Sequence, residues 1–392
     1  MRILWFSVTP SLFNPRRNGH NGGGWVASLE SIIHEVPDIE LGVAFKFSDS
    51  HFRYEKEKTI YYPITKGRFG TYKSIIDDFK PDLIQIFGSE NDFGTICGEI
   101  DIPIVIHIQG CLPPYHNALF PVGMSPIDFI RHKGLGLRQR YVGLRSEAVF
   151  RKQAKREIKT IQHCSYFMGR TEWDKGLIDL FNPKAKYFHC EEALRDSFLQ
   201  GKRHWSWRDD KKKTFISVIS RPWYKGCDLI LKTANLLHRF TDLDFEWQVY
   251  GIPEMCFYES KYGIKANQVN VKAMGTASSE KLVEALCNSS CYVHPSYIDN
   301  SPNSVCEAQI LGVPVLATHV GGMSSIVHDG DTGLLFPANA PYTLASLLKR
   351  VVNDKELAEG LGHRARQMAQ KRHSPQIIRD SIVNIYKEII SK

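Results

Sequence analysis

Apolar residues along this chain fall into two alternating kinds of run. The first kind is short and continuous: MRILWFSV at the start, PDLIQIFG ending at Gly88, IPIVIHIQG from Ile102, TFISVIS from Thr214, FEWQVYG, VNVKAMG, CYVHPS and VPVLATHV. Continuous rather than every-second-residue apolarity predicts strands buried on both faces, as in a parallel sheet. The second kind has helical spacing: WVASLESIIHEV, the stretch from Tyr72 before PDLIQIFG, CDLILKTANLLHRF, SSEKLVEALCNSS, PNSVCEAQIL, TLASLLKRVV, ELAEGLGHRARQMAQKR and SPQIIRDSIVNIYKEIISK. Strand and helix in turn is the grammar of βαβ units. The alternation restarts after a charge-dense stretch, GKRHWSWRDDKKK (Gly201 to Lys213). This predicts two Rossmann-like, doubly wound α/β domains, residues 1–205 and 206–372, with a last helix over 373–392 that starts at Ser374-Pro375 and crosses back to the N-terminal domain. A chain of 392 residues is long enough for two cores.

Composition narrows the class. With 43% hydrophobic and 23% charged residues and no low-complexity tract, the chain reads as an ordinary folded protein. It has no apolar stretch of about 18 residues, and its N-terminal apolar run is too short for a cleavable signal peptide, so a cytosolic location is expected. The nine cysteines form no C-x-x-C pair and no zinc-ligand spacing, which points to reduced, mostly buried thiols. The net charge of +8 is concentrated between Arg131 and Lys159, where ten Lys/Arg face only Glu147 and Glu157. That basic face is either a solvated helix surface or a contact with anionic lipid headgroups or a lipid-diphosphate, which would bring the protein to the inner face of a membrane. No aromatic-interleaved motif accompanies it, so nucleic acid is not an expected partner.

The most informative stretch runs from His294 to Gly322. Ser301 as cap, Pro302 at the first helical position, Gly312 as stop and Pro314 beyond predict a short helix from about Pro302 to about Leu311. The first-turn amides of Asn303, Ser304 and Val305 lack intrahelical partners in such a helix and sit at its positive end, where a diphosphate is favoured. Glu307 falls on the same face about one turn along, in reach of the two hydroxyls of a ribose. Asp299, just ahead of the helix, either binds sugar hydroxyls or caps a turn.

This D-x7-E stretch resembles the E-x7-E element of family 4 retaining glycosyltransferases, which have the GT-B fold. In that family a G-x-P-V-(V/I)-A strand and a Gly-Gly turn follow, matched here by Gly312 to Ala317 and by Gly321-Gly322. The sequence D-G-x-T-G-L-L-x-P then stands intact from Asp329 to Pro337. Asp299 in place of the usual glutamate and Pro302 in place of a common glycine depart from the pattern. The resemblance is specific from about Thr214 to Arg350 and architectural before it. It implies two domains facing each other across a cleft, the first for the acceptor and the second for the donor. It also implies that Arg221 and Lys225, four residues apart where five is commoner, bind the donor diphosphate. Tyr250, Gly251, Met274 and Gly275 would hold the nucleobase. The glycines Gly22, Gly23 and Gly24 match a family Gly-Gly turn, and His107 matches a histidine facing the donor sugar; His189, His294 and His319 have no such match.

The implied reaction is metal-independent transfer, with retained configuration, of a sugar from a UDP- or GDP-linked donor to a glycan or lipid-linked glycan. Its setting would be bacterial surface polysaccharide or lipopolysaccharide synthesis. Asp299 and His107 would position the sugar while Arg221, Lys225 and the helix tip stabilise the leaving diphosphate. Two other readings fit the same fold: a non-catalytic glycan- or nucleotide-binding protein, and a nucleotide-sugar epimerase.

Overall fold

A computed structural model of the chain describes residues 1–13, 24–47, 52–65, 67–131, 137–220 and 223–392. The chain divides into two compact units. The first comprises Met1–Leu112, Gln153–Arg195 and Lys371–Lys392, and the second Pro113–Lys152 and Asp196–Gln370.

The first unit holds strands β1 (Arg2–Ser7), β2 (Glu40–Lys46), β3 (Tyr54–Lys56), β4 (Thr59–Ile64), β5 (Leu83–Phe87), β6 (Ile104–His107), β7 (Tyr166–Gly169) and β8 (Lys186–His189). They form one sheet in the order β3-β4-β2-β1-β5-β6-β7-β8, parallel throughout except for the β3-β4 hairpin. The apolar run of β1 is continuous because both of its faces are covered. Ile3 and Trp5 belong to one core cluster and Leu4 and Phe6 to the other, the alternation that a pleated strand imposes.

The helix Pro375–Ile390 packs into the first of these clusters through Ile378, Ile382, Ile385, Tyr386 and Ile389, so the end of the chain completes the core begun by its first strand. Its polar fixing point is Tyr386, whose hydroxyl donates to Gln85 and accepts the Trp5 indole N–H at 3.0 Å. All three residues are fully buried, and a buried aromatic hydroxyl of this kind needs such partners.

The second unit holds β9 (Lys213–Val218), β10 (Phe245–Tyr250), β11 (Val271–Gly275), β12 (Cys291–His294), β13 (Val315–Thr318) and β14 (Leu334–Phe336). The sheet order is β11-β10-β9-β12-β13-β14 and every pairing is parallel. Winding starts at β9, runs outward through β10 and β11, then reverses to β12, so the topological switch point lies between the carboxyl ends of β9 and β12. In the first unit the same reversal falls between β1 and β5.

The division differs from the expected one in two places. The charge-dense stretch before β9 is not a free linker. Trp205 is buried, its backbone N–H bonds the Leu311 carbonyl at 2.8 Å and its indole the Ser289 carbonyl at 2.7 Å, which fastens this stretch to the second unit. Residues 113–152, placed by sequence in the first domain, group with the second unit. Among their ties there are the Phe120–Trp223 ring stack at 5.3 Å and the Asp128–Lys261 ion pair at 2.6 Å.

Candidate functional site

The loops leaving β9, β12 and β13 meet at the switch point of the second sheet, and glycines set how closely. Gly226, at φ +77°, follows the single turn Trp223–Lys225; a Cβ there would stand 2.0 Å from the Pro295 carbonyl oxygen. Gly321, at φ +53°, packs so tightly that a Cβ would stand 1.9 Å from the Asp299 carbonyl oxygen, which also accepts the Gly322 N–H at 3.0 Å. Only residues without a side chain allow these approaches. The Gly-Gly turn therefore clasps the backbone of the Asp299 loop.

Inside that clasp Asp299 is buried, at 6% exposure, and its carboxylate is surrounded by donors. Lys225 Nζ lies 2.6 Å and His294 Nε2 2.8 Å from Oδ2, and the Tyr115 hydroxyl donates to Oδ1 at 3.2 Å. Burial alone would push this carboxyl up, but the Lys225 charge and the bond from His294 outweigh it and hold Asp299 well below the usual carboxylate range. His294 is fully enclosed, and burial lowers its pKa against the opposing pull of Asp299. Its Nε2 faces the Asp299 carboxylate, and its Nδ1 lies 3.3 Å from the Tyr292 hydroxyl oxygen. The Tyr292 hydroxyl donates to Ser304 Oγ at 2.8 Å. A continuous polar chain thus joins the tip of the next helix to Lys225.

That helix is Asn303–Leu311, with Pro302 in the capping position expected for Ser301 and Gly312 ending it at φ +81°. One expectation needs correction. The Val305 N–H donates to the Pro302 carbonyl at 2.9 Å, so Val305 is not among the amides left at the helix tip. Glu307 is 5% exposed rather than on a solvated face, and its charge is felt at the Tyr292 hydroxyl.

The residues expected around the base are placed as follows. Tyr250 is buried with its hydroxyl on Gln248 at 3.0 Å, and Met274 is half-buried. Gly251, at φ +96°, lies against the Ile219 carbonyl oxygen, which a Cβ would approach to 2.0 Å. Its N–H bonds Gly275 O at 2.8 Å and the Gly275 N–H bonds Ile252 O at 3.0 Å, so both amides close the turn between the strand ends.

In the first unit His107 ends β6 and is fully buried, with the Trp25 ring edge-on at 5.5 Å and Phe87 at 6.2 Å. Among the described residues neither ring nitrogen has a partner in hydrogen-bonding geometry. Burial, then the Arg170 guanidinium, pushes its pKa down to about 3 against the Cys190 backbone and Glu191, so it is neutral at pH 7. Beyond the neighbouring strand ends, Arg170 pairs with Glu192 at 3.0 Å and Gln109 donates to Glu192 at 2.6 Å. Glu90 and Glu157 are pushed up to about 7 and about 8, in each case chiefly by burial. Gly24 opens the helix Gly24–Ile33, where a Cβ would stand 3.1 Å from Arg195 Cδ. Gly22, Gly23 and Arg221 lie outside the described residues.

Sequence reasoning missed Tyr115, Tyr292 and His294. For the last two a signal was available: residues 292 and 294 share one face of β12, so a tyrosine and a histidine reach the same end of the sheet.

Residues 202–368 match the family described as glycosyl transferases group 1. A capsular polysaccharide biosynthesis glycosyltransferase of Staphylococcus aureus is 30% identical over 105 residues, 27% of this chain and 28% of that protein. The chain spans between 28 and 40% of the length of the first curated relatives it matches. Among solved structures, sucrose-phosphate synthase from Thermosynechococcus elongatus aligns with a TM-score of 0.76 at 14% identity, covering 100% of this chain and 99% of that one. HepE of Anabaena, in complex with UDP and glucose, aligns with a TM-score of 0.67 at 12% identity, covering 99 and 100%. The two parallel α/β units have the GT-B fold.

Proposed function

We propose that the chain is a retaining glycosyltransferase that moves a sugar from a nucleoside diphosphate to a hydroxyl of a glycan or lipid-linked glycan. The observation that carries this reading is the buried Lys225–Asp299 pair at the switch point, one hydrogen-bonded chain away from the tip of the helix that bears the buried Glu307. The group 1 match spans all of these residues. Here Arg221, Lys225 and the amides of Asn303 and Ser304 receive the diphosphate, Glu307 accepts from the ribose hydroxyls, and the strand-end turns at Tyr250-Gly251 and Met274-Gly275 border the base. His107, neutral and poor in partners, is suited to donate to a sugar hydroxyl.

In the reaction the bond from the anomeric carbon to the diphosphate oxygen breaks, and the acceptor oxygen bonds the same face. The acceptor proton passes to the departing oxygen, while Lys225, Arg221 and the helix tip stabilise its charge. The two cations supply what catalysis at a leaving diphosphate needs, so the reaction is proposed to run without a metal. A UDP-linked donor is the first to try, because HepE holds UDP. The relative named for capsular polysaccharide biosynthesis supports a surface polysaccharide setting.

Incubation with UDP- and GDP-sugars and a glycan acceptor separates the readings. Donor-dependent release of the nucleoside diphosphate with an α-linked product is expected. Binding without turnover would favour a non-catalytic glycan- or nucleotide-binding protein, and isomerised sugar an epimerase.

An anionic membrane is the proposed docking partner of the basic stretch. Ten Lys/Arg lie between Arg131 and Lys159, and exposed apolar side chains flank or share that stretch: Val122, Ile127, Ile130, Leu137 and Tyr141, with Leu137 84% exposed. Apolar anchors beside cations suit a headgroup layer. No described helix is long and apolar enough to cross a membrane. The protein is expected to sediment with phosphatidylglycerol vesicles at low salt and to be released at about 0.5 M salt, where screening is short-ranged. Equal binding to neutral and anionic vesicles would remove this partner.

A further inference from the structure

We propose that Asp299 is the anchor of Lys225 rather than a ligand of the transferred sugar, and that Tyr115 and His294 are the positioning residues that hold the anchor in place. This rests on the nucleotide-sugar reading of the site. An ionised carboxylate offers about four acceptor positions. On Asp299, Oδ2 is taken by Lys225 at 2.6 Å and His294 at 2.8 Å, and Oδ1 by Tyr115 at 3.2 Å. With 6% of the residue exposed and three donors already bound, the group is arranged around the ammonium and not toward a ligand.

Tyr115 fixes more than the side chain. The same hydroxyl accepts the Asn300 backbone N–H at 3.1 Å, so one atom holds both the acid and the loop that carries it. The Tyr115 ring meets the ring of Tyr224, the neighbour of Lys225, edge-on at 5.2 Å and 90°. Acid, loop and lysine turn are thereby tied to one side chain from the short helix Leu112–Asn117. His294, whose Nε2 faces the ionised carboxylate at 2.8 Å, supplies the third donor.

The physical gain lies in the lysine. A four-carbon stem with a strongly hydrated ammonium is ordinarily mobile, and ordering it on binding costs conformational entropy. Held at 2.6 Å by a carboxylate that is itself held by two further donors, Lys225 enters the encounter already ordered. The identity of the acid follows. Gly226 lets the lysine turn approach the Pro295 carbonyl while the Gly321-Gly322 clasp holds the Asp299 backbone, and between them the shorter acid spans the distance to Lys225.

The test measures dissociation constants for a nucleotide sugar and for its sugar-free nucleoside diphosphate on the wild type, Tyr115→Phe and Asp299→Asn. Tyr115→Phe keeps the charge and loses one hydroxyl. It should weaken both ligands by the same factor, about threefold or more by the cost of ordering one long side chain. Asp299→Asn should leave the ratio of the two constants within about twofold of the wild-type ratio. The anchor is refuted if Tyr115→Phe leaves the sugar-free affinity unchanged, or if Asp299→Asn weakens the nucleotide sugar tenfold relative to the sugar-free ligand, as loss of a sugar contact would. If Asp299→Asn does not fold, Tyr115→Phe decides alone. A wild type that binds no nucleotide overturns the functional reading and the anchor together. A wild type that binds, with variants failing as described, overturns the anchor only.

Discussion

Replacing Glu307 with alanine is expected to weaken nucleoside diphosphate binding about 100-fold while leaving the fold intact. The carboxylate is 5% exposed on the helix Asn303–Leu311, and under the proposed function it accepts from the ribose of a nucleotide whose diphosphate rests at the helix tip. A hydrogen bond to a charged acceptor contributes about 1.5–3 kcal/mol, and each 1.4 kcal/mol is tenfold in affinity. Two ribose hydroxyls on one carboxylate, discounted for the water they exchange, give about two decades. Glu307→Gln keeps one good acceptor and should fall between the wild type and the alanine variant. Titration calorimetry with UDP and GDP reads the effect. Unaltered affinity in Glu307→Ala would remove the nucleotide site from this helix.

Much of the second unit was legible because its signals are local. Continuous apolar runs marked its strands, and the Ser301-Pro302 start and Gly312 stop placed the helix to within a residue of Asn303–Leu311. What the sequence concealed depends on residues far apart in the chain. Tyr115 reaches Asp299 across 184 positions, and no periodicity reports such a meeting. Val305 was misjudged for a local reason: the Pro302 carbonyl turns back three residues to take its N–H, which the general rule for helix starts leaves open. The domain boundary slipped because Trp205 sits within a run of charges, and the run reads as a linker although the indole is buried against Ser289. In the first unit the strands were partly legible, but the network of Arg170, Glu192 and Gln109 is assembled from three strand ends that carry no shared motif.

Lys225→Met should lower kcat by about 100- to 1000-fold, the range seen when one donor to a developing anion is removed. It should also destabilise the protein, and the two effects can be separated. Removing one partner of a buried ion pair leaves the other charge uncompensated, at a cost of about 3–5 kcal/mol. Lys225 is 16% and Asp299 8% exposed at the side chain, so solvent relieves little of this. In the wild type the folded pKa of Asp299 lies below its unfolded value. The group therefore contributes stability that is fully present above about pH 4 and is lost as the pH falls through the folded value. Without Lys225, burial dominates and the folded pKa rises, so the stability deficit of Lys225→Met should be largest at neutral pH and shrink on acidification. Adding Asp299→Asn to Lys225→Met removes the stranded charge and should restore much of the melting temperature at pH 7 without restoring turnover. Additive losses in the double variant, or a deficit that does not change between pH 7 and pH 4, would mean that the pair is not the coupled unit its geometry describes.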